Sequence, residues 1–421
     1  MPAALRSDWS LADWLAWQET LHPKGIDLGL ERVRAVAARL DLLQPSARTI
    51  VVGGTNGKGS TLAFLEAMLL AAGRRVAAYT SPHLLRYEER LRLDGRECPA
   101  GDWCRAFAAV DAARGDQSLT YFEFGTLAAL WLARAFDPEV LVLEVGLGGR
   151  LDAVNIIDAD VAIVTTIGID HTEFLGPDRE SIGCEKAGIY RPGRPAICVD
   201  PSPPASLLAH QQAIGARPYR FGHEFGVREA RDGWGWWGPG GGLDLPWPSL
   251  AGPHQLVNAA GAVAALRLLP SIDVSEVAIA SGIAAARLAG RFQIESGAVE
   301  WVFDVTHNPH GAAVLAETLQ WRPVAGQTWL LLAMLADKDA AGVIAALMPV
   351  VDRWCAAGLD GARGRPVESM LASLPAGTMA CKDVTAACRQ LESAAQPGDR
   401  VVVCGSFLTV AEAMRARHIT C

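Results

Sequence analysis

The sequence has 421 residues, of which half are apolar and a fifth are charged, and its formal net charge is −8. This length and composition predict two globular domains with sizeable cores. The acidic balance and the lack of a basic block argue against a nucleic-acid partner. No apolar run is long enough to span a membrane, and the charged residues Arg6, Asp8 and Asp13 exclude a signal-peptide core. We therefore expect a cytoplasmic protein.

Two amphipathic helices are predicted before the first core strand, at 8–20 and 30–43. Apolar strand-like runs then alternate with helical patterns from about residue 49 to 199. Strands are predicted at 49–52, 76–79, 140–145, 161–167 and 196–199, and helices at 61–72, 102–114, 123–136 and 179–188. Alternation with continuously apolar strands predicts an α/β fold with a doubly wound, mostly parallel sheet.

Residues 222–250 differ in character from the rest, and within them the stretch 233–242 consists of glycine and tryptophan with one proline. It predicts a hairpin or loop. Its tryptophans either cover a sheet surface or stack on an aromatic ligand. A helix is predicted from Pro253 to about Leu269.

A second alternating pattern begins near residue 299 and predicts a smaller, Rossmann-like α/β domain. Its strands are predicted at 299–305, 328–334, 353–357 and 400–404, and its helices at 310–319, 339–349, 366–373, 384–396 and 408–417. We predict a first domain at 1–284, a hinge at 285–292 and a second domain at 293–421.

The cysteines are odd in number and form no C-x-x-C pair, and most have apolar or helical neighbours. Buried free thiols in a reducing compartment are therefore expected, rather than disulfides or a zinc site. The nine positions are Cys98, Cys104, Cys184, Cys198, Cys355, Cys381, Cys388, Cys404 and Cys421.

The most informative segment is a β-branched run that ends in a glycine-rich loop with one lysine, at 49–60. In a strand–loop–helix unit, backbone N–H groups and a helix N-terminus hold phosphate oxygens, and Lys58 adds a charge. The loop departs from G-x-x-x-x-G-K-[ST] at Val52 and Gly59. The alternative is a tight turn that binds nothing. A cation at the start of its own helix is unfavourable without an anion, which favours the phosphate interpretation.

Ligands of doubly wound sheets bind at the carboxyl ends of strands. Ser81, Glu144 and His171 follow three predicted strands, and a hydroxyl, a carboxylate and an imidazole can hold magnesium beside a phosphate. Lys186 ends a predicted helix, where an ordinary surface lysine is the alternative interpretation.

In the second predicted domain, Asp304 and His307 follow an apolar strand. Asp304 can accept hydrogen bonds from ribose hydroxyls, and His307 can face the same ligand. Arg291 lies in the predicted hinge, from which it can reach phosphates when the domains close.

The loop 54–60 resembles the phosphate loop of the Mur ligase superfamily. Further segments narrow the resemblance to the folylpolyglutamate synthases: 80–84, 144–155, 170–172, 185–189, 290–292 and 304–309. Segments 22–33 and 119–123 resemble the bacterial bifunctional dihydrofolate synthase/folylpolyglutamate synthases. The resemblance covers about residues 10 to 415.

The resemblance implies an ATP-dependent amide ligase. ATP phosphorylates the carboxylate of a pterin substrate, and the amino group of L-glutamate attacks the acyl phosphate. The substrates would be dihydropteroate, tetrahydrofolates and L-glutamate. The implied cofactors are ATP, magnesium at two sites and a monovalent cation, and we expect a monomer.

Site residues also follow from the resemblance. The implied catalytic groups are Lys58, Lys186, His171 and Arg291. ATP would contact Gly54, Thr55, Asn56, Gly57, Lys58, Gly59, Ser60, Asn258, Arg291, Asp304 and His307. Magnesium would be held by Ser81, Glu144, His171 and Lys186, the last as a carbamate. The pterin would contact Leu28, Thr120, Phe122, Asp152 and Ala153, and glutamate would lie near Ser406.

Two positions depart from the family pattern: Thr306 replaces the usual alanine, and Val154 replaces a common threonine. A cell-wall Mur ligase would need a nucleotide-sugar domain before the phosphate loop, and too few residues precede Gly54. A nucleotide switch would carry a guanine-specificity motif such as N-K-x-D, which is missing. A single-activity folylpolyglutamate synthase remains open.

Overall fold

The computed structural model describes residue 6, residues 8–361 and residues 363–419. Its chain divides into two compact units, Met1–Ser249 with Leu256–Ala286 and Leu250–Gln255 with Arg287–Cys421. The predicted domain boundaries at 284 and 293 stay a prediction. None of the helices in the described ranges is long and apolar enough to cross a lipid bilayer.

The first unit is built on an eight-stranded sheet in the order β4-β3-β2-β5-β1-β6-β7-β8. Six neighbouring strands from β2 to β8 run parallel, whereas β3 and β4 add an antiparallel edge. The strands are β1 (Arg48–Gly53), β2 (Val76–Tyr79), β3 (Leu91–Leu93), β4 (Arg96–Glu97), β5 (Val140–Glu144), β6 (Val161–Val164), β7 (Pro195–Cys198) and β8 (Arg217–Arg220).

The central strand β1 lies between β5 and β6, and its apolar residues are buried. This arrangement explains its continuous β-branched run, because a strand covered on both faces needs apolar side chains at every position. The predicted doubly wound sheet is thus confirmed.

In the described part of the chain, ten α-helices belong mainly to this unit. They are α1 (Leu11–Leu21), α2 (Glu31–Arg39), α3 (Lys58–Ala71), α4 (Ala100–Arg114), α5 (Tyr121–Phe136), α6 (Thr172–Leu175), α7 (Arg179–Ala187), α8 (Ala205–Ala213), α9 (His254–Leu268) and α10 (Glu276–Ala285). The predicted helix at 8–20 begins only at Leu11, because Ser10 and Asp13 form a reciprocal capping box there. The predicted helix at 30–43 ends at Arg39.

The tryptophan-rich region forms a three-stranded antiparallel sheet of β9 (Gly226–Ala230), β10 (Gly233–Gly238) and β11 (Gly241–Leu245). Trp234 and Trp236 are buried, and their indole N–H groups donate to the carbonyls of Pro246 at 2.9 Å and Ala260 at 3.2 Å. These two side chains therefore pack inside the unit, which favours the covering role over stacking on a ligand.

The second unit contains a six-stranded sheet in the order β12-β13-β17-β14-β15-β16. β12 runs antiparallel to β13, and the other four neighbouring pairs are parallel. They are β12 (Gln293–Glu295), β13 (Glu300–Phe303), β14 (Thr328–Leu332), β15 (Arg353–Ala357), β16 (Met379–Cys381) and β17 (Arg400–Cys404). The helices are α11 (Pro309–Trp321), α12 (Ala340–Leu347), α13 (Glu368–Leu371), α14 (Val384–Ala394) and α15 (Phe407–Ala416). The second α/β domain is confirmed.

A buried ion pair ties the start of β17 to β13. Arg400 is 2% exposed, and its guanidinium donates to Glu300 Oε1 at 2.6 Å and to the carbonyl of Arg322 at 2.5 Å. Glu300→Ala should lower the free energy of unfolding by about 3 kcal/mol, because it leaves a buried guanidinium without its carboxylate. Urea denaturation measures this loss. Asp244→Ala, which removes an exposed ion pair with Arg228, is the control and should change stability by about 1 kcal/mol or less. Equal midpoints for both variants would contradict this account.

Eight of the nine cysteines lie in the described ranges, and these eight are free. Six are buried, while Cys104 is partly exposed and Cys184 is exposed. Burial raises the pKa of the Cys98 and Cys198 thiols to about 12, so these groups are unreactive at neutral pH. Cys421, also predicted to be a free thiol, lies outside the described residues.

Candidate active site

The glycine-rich loop after β1 lies against two side chains that only glycine allows to approach so closely. Gly54 has a φ of 142°, and a Cβ there would lie 1.7 Å from Thr165 Oγ1. Gly57 has a φ of 89° and would place a Cβ 2.6 Å from Asn258 Oδ1. Thr165 Oγ1 also donates to the carbonyl of Asn56 at 2.7 Å. The loop is thus fixed at the N-terminus of α3, where an anion is stabilised, and Asn258 lies beside it.

The helix after the loop begins earlier than predicted. Lys58, Gly59 and Ser60 form the first turn of α3, which was expected to start at residue 61. Lys58 Nζ donates to the carbonyls of Gly54 at 3.1 Å and Thr55 at 3.2 Å. The ammonium group therefore lies over the loop.

Two of the three residues predicted to hold magnesium are in direct contact. Glu144 ends β5, is 5% exposed and accepts a hydrogen bond from Ser81 N at 3.2 Å. Glu144 pairs in register with Val52, two residues before the loop. His171 follows β6 with a left-handed backbone (φ 51°), and its N–H donates to Asp170 Oδ1 at 2.9 Å. A carboxylate and a hydroxyl-bearing residue thus lie together at the carboxyl edge of the sheet.

Lys186 is buried, which excludes the interpretation as an ordinary surface lysine. It lies in the last turn of α7 and is 3% exposed. Burial, together with the smaller effect of the nearby Lys58 charge, lowers the pKa of its amine to about 7. Asp170 and Asp152 act in the opposite direction. At neutral pH this amine is therefore partly neutral, unlike that of a solvent-exposed lysine.

Asp152 organises the loop that follows β5. Its two carboxylate oxygens accept hydrogen bonds from Leu147 N at 2.8 Å and Val154 N at 3.0 Å. Burial raises the pKa of Asp152 to about 6 despite these bonds and the charge of Lys58. Ala153 starts a short 3-10 helix directly after it and is also buried. Asp152 therefore shapes this segment in addition to its predicted contact with the pterin.

Phe122 lies against the same loop. A Cβ on Gly146 would come within 2.6 Å of the Phe122 ring, and that ring lies 6.3 Å from Tyr79. Thr120 caps α5, because its hydroxyl accepts from Glu123 N at 3.2 Å. The structure thus brings Phe122 next to the loop 146–154, which contains Asp152 and Ala153. This proximity is expected if these residues line one pterin pocket, as predicted.

In the second unit, Asp304 follows β13 and stabilises the turn around it. Its carboxylate accepts from Phe292 N and Thr306 N, both at 2.9 Å. A carboxylate has about four acceptor positions, so capacity for ribose hydroxyls remains.

Three other predicted residues of the second unit gather at Phe407. The Arg291 guanidinium lies 5.2 Å from the centre of the Phe407 ring, and the His307 ring lies 6.3 Å from it. His307 Nδ1 donates to the carbonyl of Val305 at 2.9 Å. Ser406 precedes Phe407 and caps α15 by accepting from the N–H of residue 409 at 3.0 Å. These side chains meet where β13 and β17 end.

The sequence interpretation missed Arg90, a buried cation. It is 7% exposed, its Nε donates to His83 Nδ1 at 2.9 Å, and its guanidinium lies over the rings of Tyr87 and Tyr121. No carboxylate in the described ranges forms an ion pair with it. Arg90 belongs to the charged run 86–92, which is typical of a solvated surface, so only its proximity to His83 in the segment 80–84 could have identified it.

Two family profiles match the chain. The Mur ligase middle domain covers residues 52–266, and the Mur ligase glutamate ligase domain covers residues 290–407. A dihydrofolate synthase/folylpolyglutamate synthase of Escherichia coli is 49% identical over 96% of this chain and 94% of its own length. The enzyme of the same name from Haemophilus influenzae is 40% identical over 97% of this chain and 98% of its own length.

Solved structures agree with these relatives. Escherichia coli FolC in complex with DHPP and ADP has a TM-score of 0.94 at 48% identity and covers 98% of both chains. A bifunctional folylpolyglutamate synthase/dihydrofolate synthase from Yersinia pestis, complexed with AMPPNP and Mn ion, has a TM-score of 0.93 at 46% identity. The match covers 98% of this chain and 99% of the Yersinia pestis chain. The chain therefore belongs to the Mur ligase family, within its dihydrofolate synthase/folylpolyglutamate synthase branch.

Proposed function

We propose that this chain is an ATP-dependent amide ligase that adds L-glutamate to dihydropteroate, giving dihydrofolate, and to tetrahydrofolates, giving polyglutamates. The observation that supports the proposal most strongly concerns the first unit. A phosphate loop with Lys58 lies near a buried amine, Lys186, and the Ser81–Glu144 contact joins two strand ends beside that loop. This combination serves phosphoryl transfer to a carboxylate better than hydrolysis or signalling.

The nucleotide is bound by the loop 54–60 and the N-terminus of α3, with Asn258 next to Gly57. Arg291, Asp304 and His307 of the second unit contribute further nucleotide contacts in this proposal. Lys58 and Arg291 stabilise negative charge as the γ-phosphoryl group is transferred.

A divalent metal fits the residues present. Within residues 8–361 and 363–419, no three His, Cys, Asp or Glu side chains form a metal-binding cluster. Magnesium commonly takes one or two carboxylates and completes its shell with phosphates and water, so one carboxylate with His171 and Ser81 suits it. Glu144 supplies that buried carboxylate. The metal, when bound, neutralises charge on the phosphates.

The reaction has two steps. A carboxylate oxygen of the pterin substrate attacks the γ-phosphorus of ATP, the bond to the β–γ bridging oxygen breaks, and ADP leaves. The amino group of glutamate then attacks the acyl carbon, the bond to the phosphate oxygen breaks, and the amine loses a proton. Phosphate and an amide result.

The proposal also includes the substrate contacts that the family resemblance implies. Phe122, Asp152 and Ala153 form one wall of the pterin pocket, Thr120 and Leu28 contribute to it, and Ser406 binds the incoming glutamate. Arg90 lies close to Tyr121 and His83, and its buried guanidinium is suited to an anionic group of the substrate.

Three finer features belong to this proposal. Carbamylated Lys186 contributes to a second magnesium site, a monovalent cation assists, and the enzyme is a monomer. Light scattering of the purified protein measures the last of these. Turnover with and without added potassium tests the monovalent cation.

The function is tested by supplying ATP and L-glutamate with either dihydropteroate or tetrahydrofolate and measuring ADP and the conjugated product. Turnover of both substrates supports the proposal. Turnover of tetrahydrofolate alone would replace it by a single-activity folylpolyglutamate synthase. Turnover of neither would refute it.

Glu144→Gln should reduce turnover about a hundredfold, because it removes a hard anionic ligand worth on the order of 3 kcal/mol in the transition state. A magnesium titration of turnover measures the effect, and half-saturation should move to a higher concentration. Glu97→Gln on the edge strand β4 is the matched control and should behave like the wild type. An unchanged magnesium titration in Glu144→Gln would remove Glu144 from the metal site.

A further inference from the structure

Arg32 connects two separate segments of the first unit. It lies on α2, and its Nη2 donates to the carbonyl of Asp27 at 2.6 Å and to Glu123 Oε1 at 3.0 Å. Its Nε donates to Glu123 Oε1 at 3.2 Å, and its Nη1 pairs with the Asp27 carboxylate. One guanidinium thus holds the segment 22–30 on one side and the start of α5 on the other.

The segment 22–30 contains no helix or strand and joins α1 to α2. Asp27 anchors it, because its carboxylate receives Arg32 and also lies 3.2 Å from Lys24 Nζ and 3.6 Å from His22 Nε2. Lys24 is largely exposed, so its ion pair contributes little. The charge-assisted bonds of Arg32, which is one-fifth exposed, form the stronger anchor.

At the start of α5, Glu123 is 4% exposed, and its carboxylate accepts two sets of hydrogen bonds. Its carboxylate accepts from Thr120 N at 2.8 Å, which completes the capping box of α5, and it also receives Arg32. Thr120 and Phe122 occupy this helix start. The position of the predicted pterin contacts therefore depends on the same carboxylate that holds Arg32.

We propose that Arg32 is a positioning residue for the pterin substrate, which holds the segment carrying Leu28 against the helix start carrying Thr120 and Phe122. The inference rests on the proposed function, which supplies the substrate. Without Arg32, the substrate would itself have to order the segment 22–30, and that ordering opposes binding. A lysine does not replace Arg32, because its single ammonium group lacks the planar set of N–H donors with which the guanidinium bonds to both Asp27 and Glu123.

The test compares Arg32→Gln, Arg32→Lys and Asp27→Asn with Arg39→Gln. Arg39 lies on the same helix but donates to the carbonyls of Ala113 and Arg114, so it is the matched control. Asp27→Asn weakens the anchor of the segment while leaving the Glu123–Thr120 cap intact, so it stays informative if the Arg32 variants fold poorly.

Steady-state kinetics should show a KM for dihydropteroate raised about tenfold in Asp27→Asn and Arg32→Gln, with kcat and the KM for ATP within about twofold of wild type. Hydrogen exchange should become faster in 22–30 and stay unchanged in β1. Arg32→Lys should recover only part of the affinity, and Arg39→Gln should match the wild type.

A purely structural role would instead reduce kcat in proportion to the folded fraction and leave the KM for dihydropteroate unchanged, which would overturn the inference. Faster exchange in 22–30 with an unchanged KM would overturn it as well. If the wild type does not turn over dihydropteroate at all, the proposed function fails, and this outcome is distinct from an active wild type with unaffected variants.

Discussion

Lys58→Ala is expected to reduce ligase turnover by about a hundred- to a thousandfold, a loss of about 3–4 kcal/mol of transition-state stabilisation. The ammonium lies over the loop carbonyls of Gly54 and Thr55, and in the proposed site it stabilises the charge that develops on the γ-phosphoryl group. Initial rates of ADP formation at saturating ATP measure the loss.

Lys382→Ala is the control for this variant, because the Lys382 side chain is 84% exposed and pairs with its neighbour Asp383 at the surface. It should retain wild-type turnover. Thermal unfolding of both variants separates loss of chemistry from loss of structure. If Lys58→Ala turns over at a rate near that of the wild type, the loop is a structural turn and the nucleotide site lies elsewhere.

The sequence predicted the features that depend on local chemistry. The strand β1, the loop and α3 could be predicted because a fully buried strand, two positive-φ glycines and a helix start each need particular residues. Residues at the strand ends could be predicted as candidate binding-site residues, because parallel strands bring their carboxyl ends to one edge of the sheet. Ser81 and Glu144 do meet there.

Short edge strands could not be predicted. The strand β8 has the sequence Arg-Pro-Tyr-Arg, and its residues are exposed or half-buried. Its hydrogen bonds to β7, rather than its own side chains, make it a strand. The three-residue strands β12 and β16 are too short to show a period of two.

Burial of charged side chains was equally hard to foresee. Lys186 stands between Glu185 and Ala187 in the last turn of a helix, and only tertiary packing buries it. Arg90 belongs to a charged run in which Arg86 is exposed and Arg92 is half-buried, and a short 3-10 helix turns Arg90 inward. The local sequence shows that a side chain is charged. The free-energy cost of burying that charge depends on contacts with residues far away along the chain.

Activity is expected to depend on dissolved carbon dioxide through Lys186. A neutral amine attacks carbon dioxide, a C–N bond forms and a proton leaves, which turns a buried cation into an anion with oxygen donors for a hard metal. Burial holds the pKa of Lys186 near 7, so the reactive neutral form increases as pH rises through 7 and is scarce well below it. At constant total carbonate, the carbamylated fraction and turnover should rise with pH and level off above about 7.

Three measurements check this expectation. Intact-mass analysis in bicarbonate should show the addition of one carbon dioxide, which Lys186→Met abolishes. Lys186→Ala should lose about a hundredfold or more in turnover, and acetate or propionate should restore part of it because the truncated side chain leaves room for a carboxylate. Propionamide, which is uncharged and of similar size, is the control and should restore nothing. Full turnover in buffers freed of carbon dioxide, with Lys186 unmodified, would refute the carbamate and leave Lys186 as a buried amine that acts only through its own charge.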